Sequence, residues 1–121
     1  MQALDIQSFS YDDRSGLLPG LLMALADGGG WVLDRRTLSA RVMELRVEAQ
    51  LRSIVELYGA IIAAGLELTR SSHVALTDLC TCRKNAANSI DLGQIVLLRL
   101  EISFLEDITL HSLLASGGAP A

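Results

Sequence analysis

The sequence predicts a single α+β domain in which two helices cover one face of an antiparallel sheet. Three observations carry this. Segments that alternate apolar and polar residues, as half-buried strands do, interleave with segments whose apolar residues recur every three or four positions, as on helices. Glycine closes both helical segments, a run of three after the first and Gly65 after the second. At 121 residues the chain is the size of one domain and can bury a core without disulfide staples.

The first strand is expected over residues 3–11, where Leu4, Ile6, Ser8 and Ser10 alternate with Asp5, Gln7, Phe9 and Tyr11. A polar turn, Asp12-Asp13-Arg14-Ser15-Gly16, leads into a helix over 17–27 with a stripe of Leu18, Leu21, Leu22 and Leu25. Pro19 is read in the first turn, where its missing N–H costs nothing. Gly28-Gly29-Gly30 ends that helix, because glycine accepts the left-handed backbone that closes helices. Residues 31–47 contain no breaker, yet Val32, Leu33, Thr37, Val42 and Val47 favour strands. They read as a hairpin joined near 38–41, with a bend or bulge because Ser39-Ala40 is a poor turn sequence.

Residues 48–64 read as the second helix, with Leu51, Ile54, Val55, Tyr58, Ile61 and Ile62 as its stripe and Gly65 as its cap. A fourth strand is expected over 73–82, after a polar loop at 67–72, and a turn over 83–89. Residues 94–105 alternate strongly, Val96, Leu98, Leu100, Ile102 and Phe104 against Arg99, Glu101 and Ser103. This added strand is expected either to pair with 73–82 as an edge hairpin or to cross to a partner subunit. A short helix over 106–114 and a frayed tail over 116–121 complete the reading. The order is βαββαβ, a ferredoxin-like sandwich, occupying 3–83, with a C-terminal strand extension over 84–115.

Composition narrows the function. The net charge of −4 and the five aromatic residues argue against nucleic-acid binding, which calls for a basic surface and stacking side chains. The start of the chain lacks the basic and apolar regions of a signal peptide, and the longest nearly uncharged apolar run, 57–66, is too short for a bilayer. A cytoplasmic protein with reduced thiols is expected, with no membrane association. Half the residues are hydrophobic and mean hydropathy is +0.38, enough to supply a subunit interface, so a homodimer or higher homo-oligomer is expected.

Candidate chemical groups are few. Cys80 and Cys82 would share one strand face with His73 on the other, and two Cys with two His do not form a zinc-ligand pattern. They read as core or interface thiols. Arg35, Arg36, Arg41 and Arg46 form a basic strip that either binds an anion or acidic ligand, or is a solvated face or one paired with Glu44 and Glu48. His73 and His111 lack a nucleophile context, and the glycine run follows a helix instead of opening one, so it is not a phosphate cradle. No metal, cofactor or catalytic residue is assigned, and the chain is read as non-catalytic.

The stretch Tyr11-Asp12-Asp13-Arg14-Ser15-Gly16-Leu17-Leu18, followed by Ala24-Leu25-Ala26-Asp27-Gly28-Gly29, resembles the start of an ACT domain. In that family a strand ends in D-R-x-G-L-L, commonly D-R-P-G, and the following helix closes with A-L-A and glycine. Ser15 stands where the proline is usual. With the element order, the resemblance covers about 3–83. It implies a regulatory domain that binds a small molecule, often an amino acid, at a subunit interface near the first turn. The implied ligand residues are Asp12, Asp13, Arg14, Ser15 and Gly16. A glycine there lets a ligand approach the backbone, and the helix N-terminus offers N–H groups to a carboxylate. The same residues also suit a plain turn and helix cap. The alternative function is a ligand-free structural or oligomerisation domain, whose apolar last strand would extend into a neighbour's sheet.

Overall fold

A computed structural model describes residues 2–86 and 89–105; the expected helix over 106–114, the tail and His111 lie outside these. The elements run β1 (Gln2–Ser10), α1 (Arg14–Asp27), β2 (Trp31–Thr37), β3 (Val42–Gln50), a 3-10 turn (Leu51–Ser53), α2 (Ile54–Ala63), β4 (Glu67–Leu68), α3 (Arg70–Lys84), α4 (Ser89–Leu92) and β5 (Ile95–Phe104). They form an α+β fold with one five-stranded sheet in the order β2-β3-β5-β1-β4, compatible with a ferredoxin-like architecture. No helix among the described residues is long and apolar enough to cross a membrane.

The sheet is mixed, where an antiparallel one was expected: β5 runs parallel to β1 and antiparallel to β3. β5 is also not an edge strand. It lies between β1 and β3 and pairs with both along its whole length, Leu4↔Leu98 and Ile6↔Leu100 on one side, Leu45↔Leu100 and Val47↔Leu98 on the other. The added strand is therefore central to the fold. Its alternation is strict because one face meets the core and the other does not.

The second large correction concerns residues 73–82, which belong to α3 and not to a strand. Thr69 caps this helix by accepting the Ser72 N–H at 3.3 Å, and its inner face is Ser72, Leu76 and Leu79. The fourth strand is the two-residue β4, inside the stretch read as a polar loop, pairing Ser8↔Leu68 and Phe9↔Glu67. Smaller differences follow the same logic. β3 continues to Gln50, so α2 starts at Ile54, and Leu57 replaces Val55 and Ile62 on its buried face. α1 starts at Arg14, which puts Pro19 in its second turn, where the bond to the Ser15 carbonyl is not made.

Other readings hold. The hairpin connection is 38–41, and β2 carries a bulge between Val32 and Asp34. The left-handed residue closing α1 is Gly29 (φ 91°), and Gly65 (φ 96°) does the same after α2.

The buried strand residues share one face: Ile6, Ser8 and Ser10; Met43, Leu45, Val47 and Ala49; Val96, Leu98, Leu100, Ile102 and Phe104. Against them pack Leu17, Leu21 and Leu25 of α1, Ile54, Leu57 and Ile61 of α2, and Leu76 and Leu79 of α3. Three helices, not two, thus cover this face. The buried serines are satisfied: Ser8 Oγ donates to the Glu101 carbonyl at 2.8 Å and Ser10 Oγ to the Asp12 carbonyl at 2.9 Å. The other face of β1, β3 and β5, with Ala3 to Phe9, Val42 to Gln50 and Ile95 to Ser103 at alternate positions, carries no helix among the described residues.

Candidate functional site

The turn implied as a ligand site is occupied by its own internal bonding. Asp13 is the N-cap of α1 and accepts the Gly16 N–H at 2.7 Å, while Ser15 Oγ donates to the same carboxylate at 3.3 Å. Asp12 is held by Ser10, whose hydroxyl accepts the Asp12 N–H at 3.1 Å. Arg14 turns away from the turn: its guanidinium donates to the Ser39 and Ala40 carbonyls at 3.2 and 3.0 Å and lies over the Phe104 ring at 5.2 Å. Gly16 is inside the helix, and a Cβ there would stand 3.0 Å from Asp13 Oδ1. The fold thus brings the five residues Asp12 to Gly16 together, as a cap and a tie to the hairpin. Replacing Asp13 by Ala is expected to cost about 1 kcal/mol, the usual value of an N-cap, with urea denaturation as the measurement. A loss below a few tenths would remove the cap from the account.

Beyond the turn, Tyr11 donates its phenol to Glu67 Oε2, joining the end of β1 to β4. That hydrogen bond, then the Glu67 charge, then slight desolvation raise the Tyr11 phenol above its ordinary value. The folded state holds the proton more tightly than the unfolded chain does. The resulting stability is present below about pH 10 and is lost as pH climbs through the raised value. In a Tyr58→Phe background, Tyr11 should ionise at higher pH than free tyrosine, and Glu67→Gln should bring it back. Tyrosinate absorbance measures both, and identical titrations would contradict the contact.

A concavity forms along the outer side of α3. Leu68, Arg70, His73, Val74, Thr77 and Asp78 line a volume of about 390 Å³, within the range of small-molecule sites. The spacing 70, 73/74, 77/78 is one helical stripe, so α3 alone aligns a cation, an imidazole, a hydroxyl and a carboxylate. His73 Nδ1 is bonded to Tyr58 Oη of α2 at 2.5 Å, which fixes the ring at the edge of this hollow. In one dimension 67–72 is a polar loop and His73 a strand residue, which leaves this group dispersed; the helix α3 brings it together. The signal was the Thr69–Ser72 cap with Leu76 and Leu79 three apart.

On a helix Cys80 and Cys82 do not share a face. Cys80 is half-buried and Cys82 exposed, and both thiols are free. Burial pushes the Cys80 thiol up, with Arg83 opposing and Glu56 adding to the shift. Among the described residues, no three His, Cys, Asp or Glu side chains group as metal ligands. The arginine strip divides: Arg46 pairs with Asp34 at 3.2 Å across the hairpin, and Arg36 stands opposite Glu44.

Comparison with protein-family models, curated proteins and solved structures gives no match. The chemistry of the surface therefore carries the functional reading.

Proposed function

We propose that the chain is a non-catalytic regulatory domain of ferredoxin-like type that binds a small carboxylate ligand of amino-acid size. The supporting observation is the α3 concavity. Arg70 supplies a carboxylate partner, Asp78 and Thr77 take polar hydrogens further along, and Leu68 and Val74 offer apolar contact between. In this reading the ligand sits there; at the first turn the Asp13 carboxylate is engaged with Gly16 and Ser15, and the Arg14 guanidinium with the hairpin.

The test is a thermal-shift screen of the twenty amino acids and related carboxylates. A ligand at a hundred times its Kd adds about 2.7 kcal/mol, a rise of several degrees for a domain this size. The rise is expected to vanish in Arg70→Ala and to persist in Arg14→Ala. No shift with any compound, or one that survives Arg70→Ala, sinks the proposal.

A second reading, a ligand-free assembly domain, is favoured by a separate observation: the helix-free sheet face.

A further inference from the structure

That open face carries an ordered pattern of charge. Cross-strand register places its side chains in rows across β3 and β5, four of which extend to β1 or to both β1 and β2. The two central rows are Asp34–Arg46–Arg99–Asp5 and Arg36–Glu44–Glu101–Gln7. Two arginines therefore stand directly opposite each other on the central strands, and two glutamates do so beside them. Like charges directly opposite each other destabilise a sheet.

The arginines find relief sideways: Arg46 pairs with Asp34 at 3.2 Å and Arg99 with Asp5 at 2.6 Å. Among the described residues, no ion pair reaches Glu44, Glu101 or Arg36. The outer rows are less polar. Trp31, Glu48, Leu97 and Ala3 form one, and Val42, Ser103 and Phe9 the other.

We propose that a second copy of this chain covers the open sheet face, in a two-fold dimer that lays the arginine row of each copy on the glutamate row of the other. The inference rests on the assembly reading and not on the ligand site. The pattern selects one symmetry. A two-fold axis lying in the face along the strands would set arginine against arginine. An axis in the face but across the strands, between the two central rows, reverses their order. It sets Arg46 against Glu44 of the second copy, Arg99 against Glu101, and Asp34 against Arg36. The same operation brings the outer rows together, Ala3 against Phe9 and Leu97 against Ser103.

The size is adequate. A face four strands wide and nine residues long covers roughly 19 by 30 Å. Two copies bury on the order of 1,100 Å² as flat area, close to the ~1,200 Å² at which specific interfaces begin. Sheets also pack face to face in this way within single domains, about 10 Å apart.

Sedimentation equilibrium of the full chain over a concentration series is the experiment, with two double variants. Glu44→Arg/Glu101→Arg places four positive side chains at the central positions of β3 and β5, and Arg46→Glu/Arg99→Glu places four negative ones there. The wild type is expected to dimerise. Each variant alone should self-associate at least about 100-fold more weakly, because like charges would face each other. An equimolar mixture should regain the dimer, since a positive face then meets a negative one. Recovery on mixing also shows that each variant is folded.

A wild type that stays monomeric overturns both the inference and the assembly reading. A wild type that dimerises while both variants also dimerise, or whose variants fail to associate when mixed although circular dichroism shows them folded, overturns the inference alone. If the full chain is monomeric but a chain ending at residue 105 dimerises, the face belongs to the chain's own last residues, and the inference falls.

Discussion

A chain ended at residue 93 is expected to lose its cooperative fold. The 3–83 region, over which the family resemblance runs, has no continuous sheet without β5: β2–β3 and β1–β4 are left as separate pairs. The strand fills the gap between β1 and β3 and pairs with nine residues of each. Its loss leaves the facing N–H and C=O groups of two strands unpaired, and a buried group without a partner costs on the order of 1–3 kcal/mol. The core also loses Val96, Leu98, Leu100, Ile102 and Phe104, each with at most 1% of its surface exposed. Full burial of such side chains is worth about 1.5–3 kcal/mol each, so the sum approaches or exceeds the 5–15 kcal/mol of a typical domain. Far-UV circular dichroism and urea denaturation are the measurements. A truncated chain that still unfolds in one sharp transition would show that β1 and β3 can close on each other, and that β5 is an addition after all.

The fate of β5 shows what the sequence could and could not disclose. The alternation of Val96 to Phe104 marked the strand within a residue of its ends, because alternation is a local property. Its neighbours were not legible, since pairing with a strand more than ninety residues earlier leaves no local trace. The buried Ser8 and Ser10 were assigned to the correct face despite their hydroxyls, as period two outweighs polarity when the hydroxyl finds a carbonyl. In α3 the composition misled. Val74, Thr77, Thr81 and two cysteines suit a strand, and only Leu76 and Leu79 give the helical period. The deciding interactions are the Thr69 cap and Ser72, whose hydroxyl accepts the Gln7 N–H of β1 at 2.8 Å. A serine holding a helix to a strand reads as a loop residue in one dimension. The Asp12 to Gly16 turn was legible as a turn and cap, whereas the reach of Arg14 to residues 39 and 40 depends on tertiary structure. The charged rows show the same division: each of Glu44, Arg46, Arg99 and Glu101 could be placed on the outer face, but their juxtaposition needs β3 beside β5.

Replacing Phe104 by Ala should cost about 3–5 kcal/mol, the range for a large aromatic side chain removed from a core. The ring is fully buried at the end of β5, and its own N–H donates to the Arg41 carbonyl at 2.9 Å. Arg14 covers the ring from the start of α1 and binds the two carbonyls just before Arg41. Helix start, hairpin connection and the last described strand thus meet at one point. Removing Arg14 alone gives a smaller loss, about 0.5–1 kcal/mol for the cation–aromatic contact and about as much again for its hydrogen bonds. Arg14→Lys keeps the charge but not the two-pronged donation to Ser39 and Ala40, so it should recover only part of that. A double-mutant cycle separates these parts. Once the ring is gone the cation has nothing to lie over, so Arg14→Ala should cost less in the Phe104→Ala background, by about 0.5–1 kcal/mol. Additive losses would mean that Arg14 does not act through the ring. A large drop for Phe104→Ala with coupling to Arg14 establishes this arginine as a tie that joins the helix start, the hairpin connection and the end of β5.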